Sequence, residues 1–189
     1  MDRNFTKYAF TESVKTVQDE QGSRSSYARM ERGDRYKLTK RETSFIESRD
    51  GFYMSTVGEN GWPYVQYRGG EQGFLKALDE TTLGFADFRG NMQYISTGNV
   101  LATKKASLFL MDYANRQRLK IWAEARVVKA SDDPDLLAKL ENPDYPALIE
   151  RLFIFDIVGY DWNCPQHITQ RFTVDEFEQL MESEQVPVI

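Results

Sequence analysis

The segment RQRLKIWAEARVVKA, residues 116–130, constrains the fold most. Leu119, Ile121, Ala123, Ala125 and Val127 fall on one face, and Lys120, Trp122, Glu124 and Arg126 on the other. A period of two marks a strand, and its length requires a sheet that covers one face and leaves the other partly wet. A second run, LFIFDIVGYDW at 152–162, is apolar on both faces and is expected to be a strand buried on both sides. Two such strands in one chain call for a closed or nearly closed sheet with cover outside it.

The other elements follow from their punctuation. GFYMSTVGENGWPYVQYRG predicts two strands joined by a turn at Gly58–Gly61. FLKAL and TTLGFADF predict two short strands around Asp79-Glu80, and SLFLMDY another. RGNMQYISTGNVLAT is polar, Gly-flanked and able to open a short helix. The first fifty residues are polar and helical in character. Thr11 caps a helix through Gln21 that stops at Gly22, a polar stretch SRSSYARMERGD ends in a turn at Gly33-Asp34, and Thr39 with Glu42 forms a capping box for a helix that stops near Asp50-Gly51. Asp133-Pro134 opens a short helix, Asp144 is expected to cap another ending near Arg151, and Thr173 with Glu176 opens a terminal helix to about Ser183. The expectation is mainly β with added helices: six or seven strands in a Greek-key-like antiparallel barrel with flanking helices. One domain spans 1–189, with a helical N-terminal extension at 1–50, the barrel at 51–172 and a C-terminal helix and tail at 173–189.

Composition excludes several classes. The net charge is -5 and no basic run dominates an element, which argues against a nucleic-acid surface. No apolar run is long enough to cross a membrane, and the N-terminus MDRNFTKYAFTESVK carries charges where a signal peptide is apolar. One cysteine makes no internal disulfide, so a reducing cytoplasm is the expected compartment. Aromatics at 13% suit a β-rich fold or an aromatic-lined pocket.

The reactive residues concentrate in DWNCPQHITQRF, 161–172, which holds the only cysteine, Cys164, and the only histidine, His167. A zinc site takes about four ligands, commonly Cys and His, so no metal is expected. Cysteine–histidine catalysis needs the imidazole within reach of the sulfur, and spacing alone does not force that. Cys164 is therefore expected to be buried and inert. RGGEQG at 68–73 matches neither phosphate-loop pattern and is expected to be a strand-end turn. The segment Asp87–Tyr94 is richer: a strand end, a glycine turn and a helix start that presents free N–H groups, with Asn91, Gln93 and Ser96 as neutral donors.

STVGENGWPYVQYRGG, LGFADFRGNMQYISTGNV, SLFLMDYANRQRLKIWAEARVV and the DWNCPQHI motif, in that order over residues 45–172, resemble the pyridoxamine 5'-phosphate oxidase-like flavoproteins. The resemblance implies an FMN-binding split β-barrel, a homodimer and a flavin groove between subunits. It implies flavin contacts from Gln66, Tyr67, Arg68 and Gly69, then from Asp87, Phe88, Arg89, Asn91, Gln93 and Ser96 on the phosphate side. From the partner subunit it implies Arg118, Trp162, Gln166 and His167, with His167 the candidate for proton transfer near the flavin. The chain departs from the oxidases where they carry phosphate-binding cations. Gln66 and Glu71 stand for an arginine and a lysine, and Asn91-Met92 for an arginine–lysine pair; Arg68, Arg89 and Lys104 or Lys105 are the cations nearby. The implied activity is a flavin-dependent oxidoreductase other than pyridoxamine phosphate oxidase, reduced by a donor such as NAD(P)H, with FAD or deazaflavin as variant cofactors. A flavin carrier without turnover and a haem-handling protein with His167 as axial ligand are the alternatives.

Overall fold

The computed structural model describes residues 3–162 and 164–184; the tail expected at 185–189 lies outside them. The N-terminal part holds α1 (Thr6–Ala9), α2 (Glu12–Glu20) and α3 (Arg24–Ala28), followed by α4 (Lys40–Glu47). α2 starts where the Thr11 hydroxyl accepts the Val14 N–H, and the chain turns away at Gly22 with φ +69°. α4 opens on the Thr39–Glu42 capping box and sends Phe45 and Ile46 into the core.

The barrel follows as β1 (Gly51–Val57), β2 (Pro63–Gly69), β3 (Lys76–Ala77), β4 (Thr82–Phe88), α5 (Ile95–Thr103), β5 (Lys105–Asp112), β6 (Gln117–Lys129), α6 (Pro134–Leu140) and β7 (Ile149–Trp162), and α7 (Val174–Glu184) ends it. Seven strands form one sheet in the order β2-β1-β5-β6-β7-β4-β3, and every pairing is antiparallel. β2 and β3 are its edges. The sheet curls until Arg68 on β2 reaches Asp87 on β4 at 2.8 Å, which gives a split barrel.

β6 buries Leu119, Ile121, Ala123 and Ala125 on its inner face, as its alternation predicts. β7 is covered on both faces. Phe153, Phe155 and Ile157 enter the barrel core with Phe52 and Phe85, while Leu152 and Ile154 meet Leu140 of α6 and Ala86 outside it. α6 is placed there by the Asp133 carboxylate, which accepts the Leu136 N–H at 3.0 Å, and by Pro134 in its first turn.

The N-terminal segment is anchored on the outer face of β6 and β7. Phe5 stacks on Trp122 with ring centroids 5.4 Å apart. The Asn4 side chain, fully buried, donates to the carbonyls of Met30 and Gly33 and accepts from Thr6. β7 bulges at Val158, which has no partner between the pairs Trp122–Gly159 and Ala123–Ile157; a Cβ on Gly159 would stand 2.2 Å from the Phe5 nitrogen, so only glycine admits the segment.

The helix expected from Asp144 to Arg151 does not form. Residues 143–145 make a turn in which the Asp144 N–H donates to Asn142 Oδ1, and β7 begins at Ile149, paired with Phe88. Pro146 disfavours helical geometry at Tyr145, and the exposed backbone of β4 offers a ladder instead. Among the described residues no helix is long and apolar enough to cross a membrane.

Candidate functional site

β2 sets the site by its alternation: Tyr64, Gln66 and Arg68 line a cleft that Val65 and Tyr67 do not. The cleft, of about 50 Å³, is closed by the end of β4, the turn 89–94, the first turn of α5 and the start of β7. At its floor Asp87, 4% exposed, holds two guanidiniums, one on each carboxylate oxygen. Arg68 Nη1 donates to Oδ1 at 2.8 Å and Arg151 Nη1 to Oδ2 at 3.3 Å. Arg151 also donates to Thr97 Oγ1 at 3.1 Å and to the Glu150 carboxylate, and lies over the Tyr94 ring at 4.5 Å. Glu150 in turn accepts the Tyr94 hydroxyl and lies 3.6 Å from Arg89 Nε. Arg68 Nε is buried and has no hydrogen-bond partner among the described residues.

Burial raises the Asp87 carboxyl, against the pull of Arg68 and Arg151, and the same burial lowers the Arg68 guanidinium. An arginine stays protonated in proteins, and a carboxylate between two of them stays ionised.

The turn is shaped by local bonds. Asn91 Oδ1 accepts the Gln93 N–H, and the Ser96 hydroxyl, buried, donates to Gln66 Oε1 at 3.3 Å. Met92 (φ +57°) and Tyr94 (φ +52°) are left-handed without being glycine, a conformation kept only where the surroundings hold it. Tyr94 gives α5 no side-chain cap, so the first turn of α5 faces the cleft with backbone N–H groups outside its own ladder.

Of the residues expected to contact the flavin, Gln66 and Arg68 from β2 and Asp87, Phe88, Asn91, Gln93 and Ser96 from the phosphate side line this cleft, and Arg89 sits at its rim on Glu150. Tyr67 does not; it packs edge-on against Tyr53 on the outer face of the sheet, beside Gly69. The other expected group lies apart from the cleft within the same chain. Trp162 Nε1 donates to Glu42 at 2.8 Å and its ring lies under Arg41. Arg118 donates to the Cys164 carbonyl, while Gln166 and His167 are exposed beyond the end of β7. Cys164 is exposed, not buried, because the sheet that would cover it ends at Trp162. Sequence reasoning missed Tyr64, Thr97, Glu150 and Arg151, and named Tyr94 only as the end of the segment Asp87–Tyr94. The parity of β7 held a signal for Arg151, which shares a face with the inward Phe153 and Phe155.

The donor set fits an anionic oxygen cluster: two fixed guanidiniums, one with an Nε unpartnered among the described residues, with hydroxyl and amide groups around an open cleft. The family model described as pyridoxamine 5'-phosphate oxidase matches residues 38–151, from just before α4 to the start of β7. The chain belongs to the pyridoxamine 5'-phosphate oxidase family. Solved structures share the family's split-barrel fold. An FMN-binding protein from Syntrophomonas wolfei is 19% identical over 81% of this chain and 96% of its own, with a TM-score of 0.53. A candidate pyridoxamine 5'-phosphate oxidase from Lactobacillus delbrueckii is 20% identical over 67% of this chain and 94% of its own, TM-score 0.52. HupZ from Group A Streptococcus is 12% identical over 71% and 99%, TM-score 0.51. No curated protein sequence matches the chain.

Proposed function

We propose that this family member is a cytoplasmic FMN-binding oxidoreductase, distinct from pyridoxamine phosphate oxidase, that works as a homodimer. The observation that carries the reading is the cleft at the end of β4, where Arg68 keeps a buried, unpartnered Nε beside Asp87. The Syntrophomonas wolfei protein of the same fold binds FMN, which supports flavin as the ligand. A bound flavin supplies two-electron redox chemistry. The chain's part is to hold the phosphate with Arg68, Ser96, Asn91 and Gln93 and to exclude water from the ring. Arg118, Trp162, Gln166 and His167 of a second copy complete the groove, with the His167 imidazole placed to give or take a proton there. The outer face of β1 and β2 leaves Tyr53, Val65 and Tyr67 exposed, an apolar surface suited to that second copy. Gln66, Glu71, Asn91 and Met92 withhold the phosphate-binding cations the oxidases use, and the Glu71 carboxylate is already bonded to Asn142, so other groups of this chain hold the phosphate.

The test is a visible spectrum of the freshly purified protein with mass analysis of whatever heat releases. A two-banded flavin spectrum with FMN mass is expected; a colourless protein that takes up no added FMN, FAD or deazaflavin refutes the reading. Steady NAD(P)H oxidation by the loaded protein is expected, and its absence would leave a flavin carrier. His167→Ala is expected to alter flavin affinity or potential; an axial-ligand signature on added haem that this substitution abolishes would favour haem handling.

A further inference from the structure

The four phosphate-binding cations of the oxidases are absent, yet three guanidiniums converge on this cleft. Arg68 comes from β2, Arg89 from the turn after β4, and Arg151 from β7. Against them stand two carboxylates, Asp87 and Glu150, so one positive charge is left over. The two acids differ in place. Asp87 is behind the arginines, buried, with each oxygen on one guanidinium. Glu150 is on the cleft side, bonded to Arg151, close to Arg89 and accepting from Tyr94. Arg151 is further aimed by Thr97 and by the ring of Tyr94, whose left-handed backbone is held in this arrangement. The cleft, of about 50 Å³, has room for more than one water and opens to solvent on one side, so a phosphoryl group fits with its ester oxygen directed outward.

We propose that Arg151 is a phosphate ligand of this cleft, set beside Arg68 by their shared Asp87 carboxylate, and that Glu150 occupies its free edge until a phosphomonoester dianion takes it. The proposal rests on the flavin reading for the rest of the ligand and stands on its own for the phosphate. Asp87 is a positioning residue here; Arg68 and Arg151 touch the ligand. The dianion exchanges one carboxylate for a group with more charge and three acceptor oxygens, which a guanidinium fork engages well.

The experiment measures binding of FMN, riboflavin and inorganic phosphate to apoprotein, by flavin fluorescence and by calorimetry, for the parent, Arg151→Gln, Arg151→Lys and Glu150→Gln. Arg126→Gln, far from the cleft on β6, is the control. The parent is expected to prefer FMN to riboflavin. Arg151→Gln should lose FMN affinity by about ten- to a hundredfold and leave riboflavin unchanged. Arg151→Lys keeps the charge and should lose less, which covers the case in which the glutamine variant does not fold. Glu150→Gln should tighten FMN and phosphate and leave riboflavin alone. Equal losses for FMN and riboflavin in the arginine variants, or unchanged FMN affinity, overturn the proposal. If no flavin binds but inorganic phosphate stabilises the parent and not Arg151→Gln, the flavin reading falls and the phosphate seat stands. If flavin binds with equal affinity with and without its phosphate, the seat falls and the flavin reading stands.

Discussion

Glu42 ties three parts of the molecule together through one carboxylate. It closes the capping box of α4 by accepting from the Thr39 backbone and hydroxyl, and it accepts the Trp162 indole N–H at the end of β7. Burial pushes its pKa up, but the hydrogen bonds from Thr39 and Trp162 outweigh burial and hold it below the ordinary carboxylate value. A folded pKa below the unfolded one gives stability that is present above the unfolded pKa of about 4.3 and is lost as pH falls through the folded value. Trp162→Phe removes one donor and keeps most of the ring contact with Phe45. It should cost about 1–3 kcal/mol by urea unfolding at pH 7, with the difference from the parent narrowing toward pH 3. A difference that is the same at both pH values would show that Trp162 acts through packing alone. Arg151 shows the limit of residue-level legibility. Its face was readable from the parity of β7, but its partner Asp87 lies sixty-four positions away in sequence and is met only across the β4–β7 ladder.

At the level of elements, β7 carries two jobs that its apolar run encodes together: inner residues fill the barrel and outer ones seat α6. Its weak point is Gly159, where the N-terminal segment crosses the strand. Gly159→Ala puts a Cβ 2.7 Å from the Phe5 Cα, and backbone must move. The expected result is a loss of about 1–3 kcal/mol, a shift in Trp122 emission as Phe5 leaves its ring, and faster proteolysis within the first ten residues. Unchanged emission and proteolysis would show that the segment does not depend on that contact. Capping residues made α2, α4, α6 and α7 readable, since each start is a short-range hydrogen bond between residues close in sequence. The segment after Asp144 misled for the same reason: its local signal favoured a helix, and a long-range ladder with β4 won.

For the whole molecule, the outer face of β1 and β2 is the feature a lone barrel does not explain. Val65 is 59% and Tyr67 55% exposed on the face of β2 opposite the half-buried cleft residues Tyr64, Gln66 and Arg68. Light scattering should give the mass of two chains, and Val65→Asp should move the population toward monomer and weaken flavin binding in step. A monodisperse monomer that binds flavin fully would refute the composite groove. By itself the sequence determined the strands, their alternation, most helix starts and the turn-and-helix-start character of the segment Asp87–Tyr94, because each depends on spacing within one stretch of chain. The tertiary structure alone decided how the seven strands order, which of the two faces of β2 turns inward, and that Arg68 and Arg151 share Asp87. Those outcomes depend on which strands become neighbours when the sheet curls, and no local period carries that information.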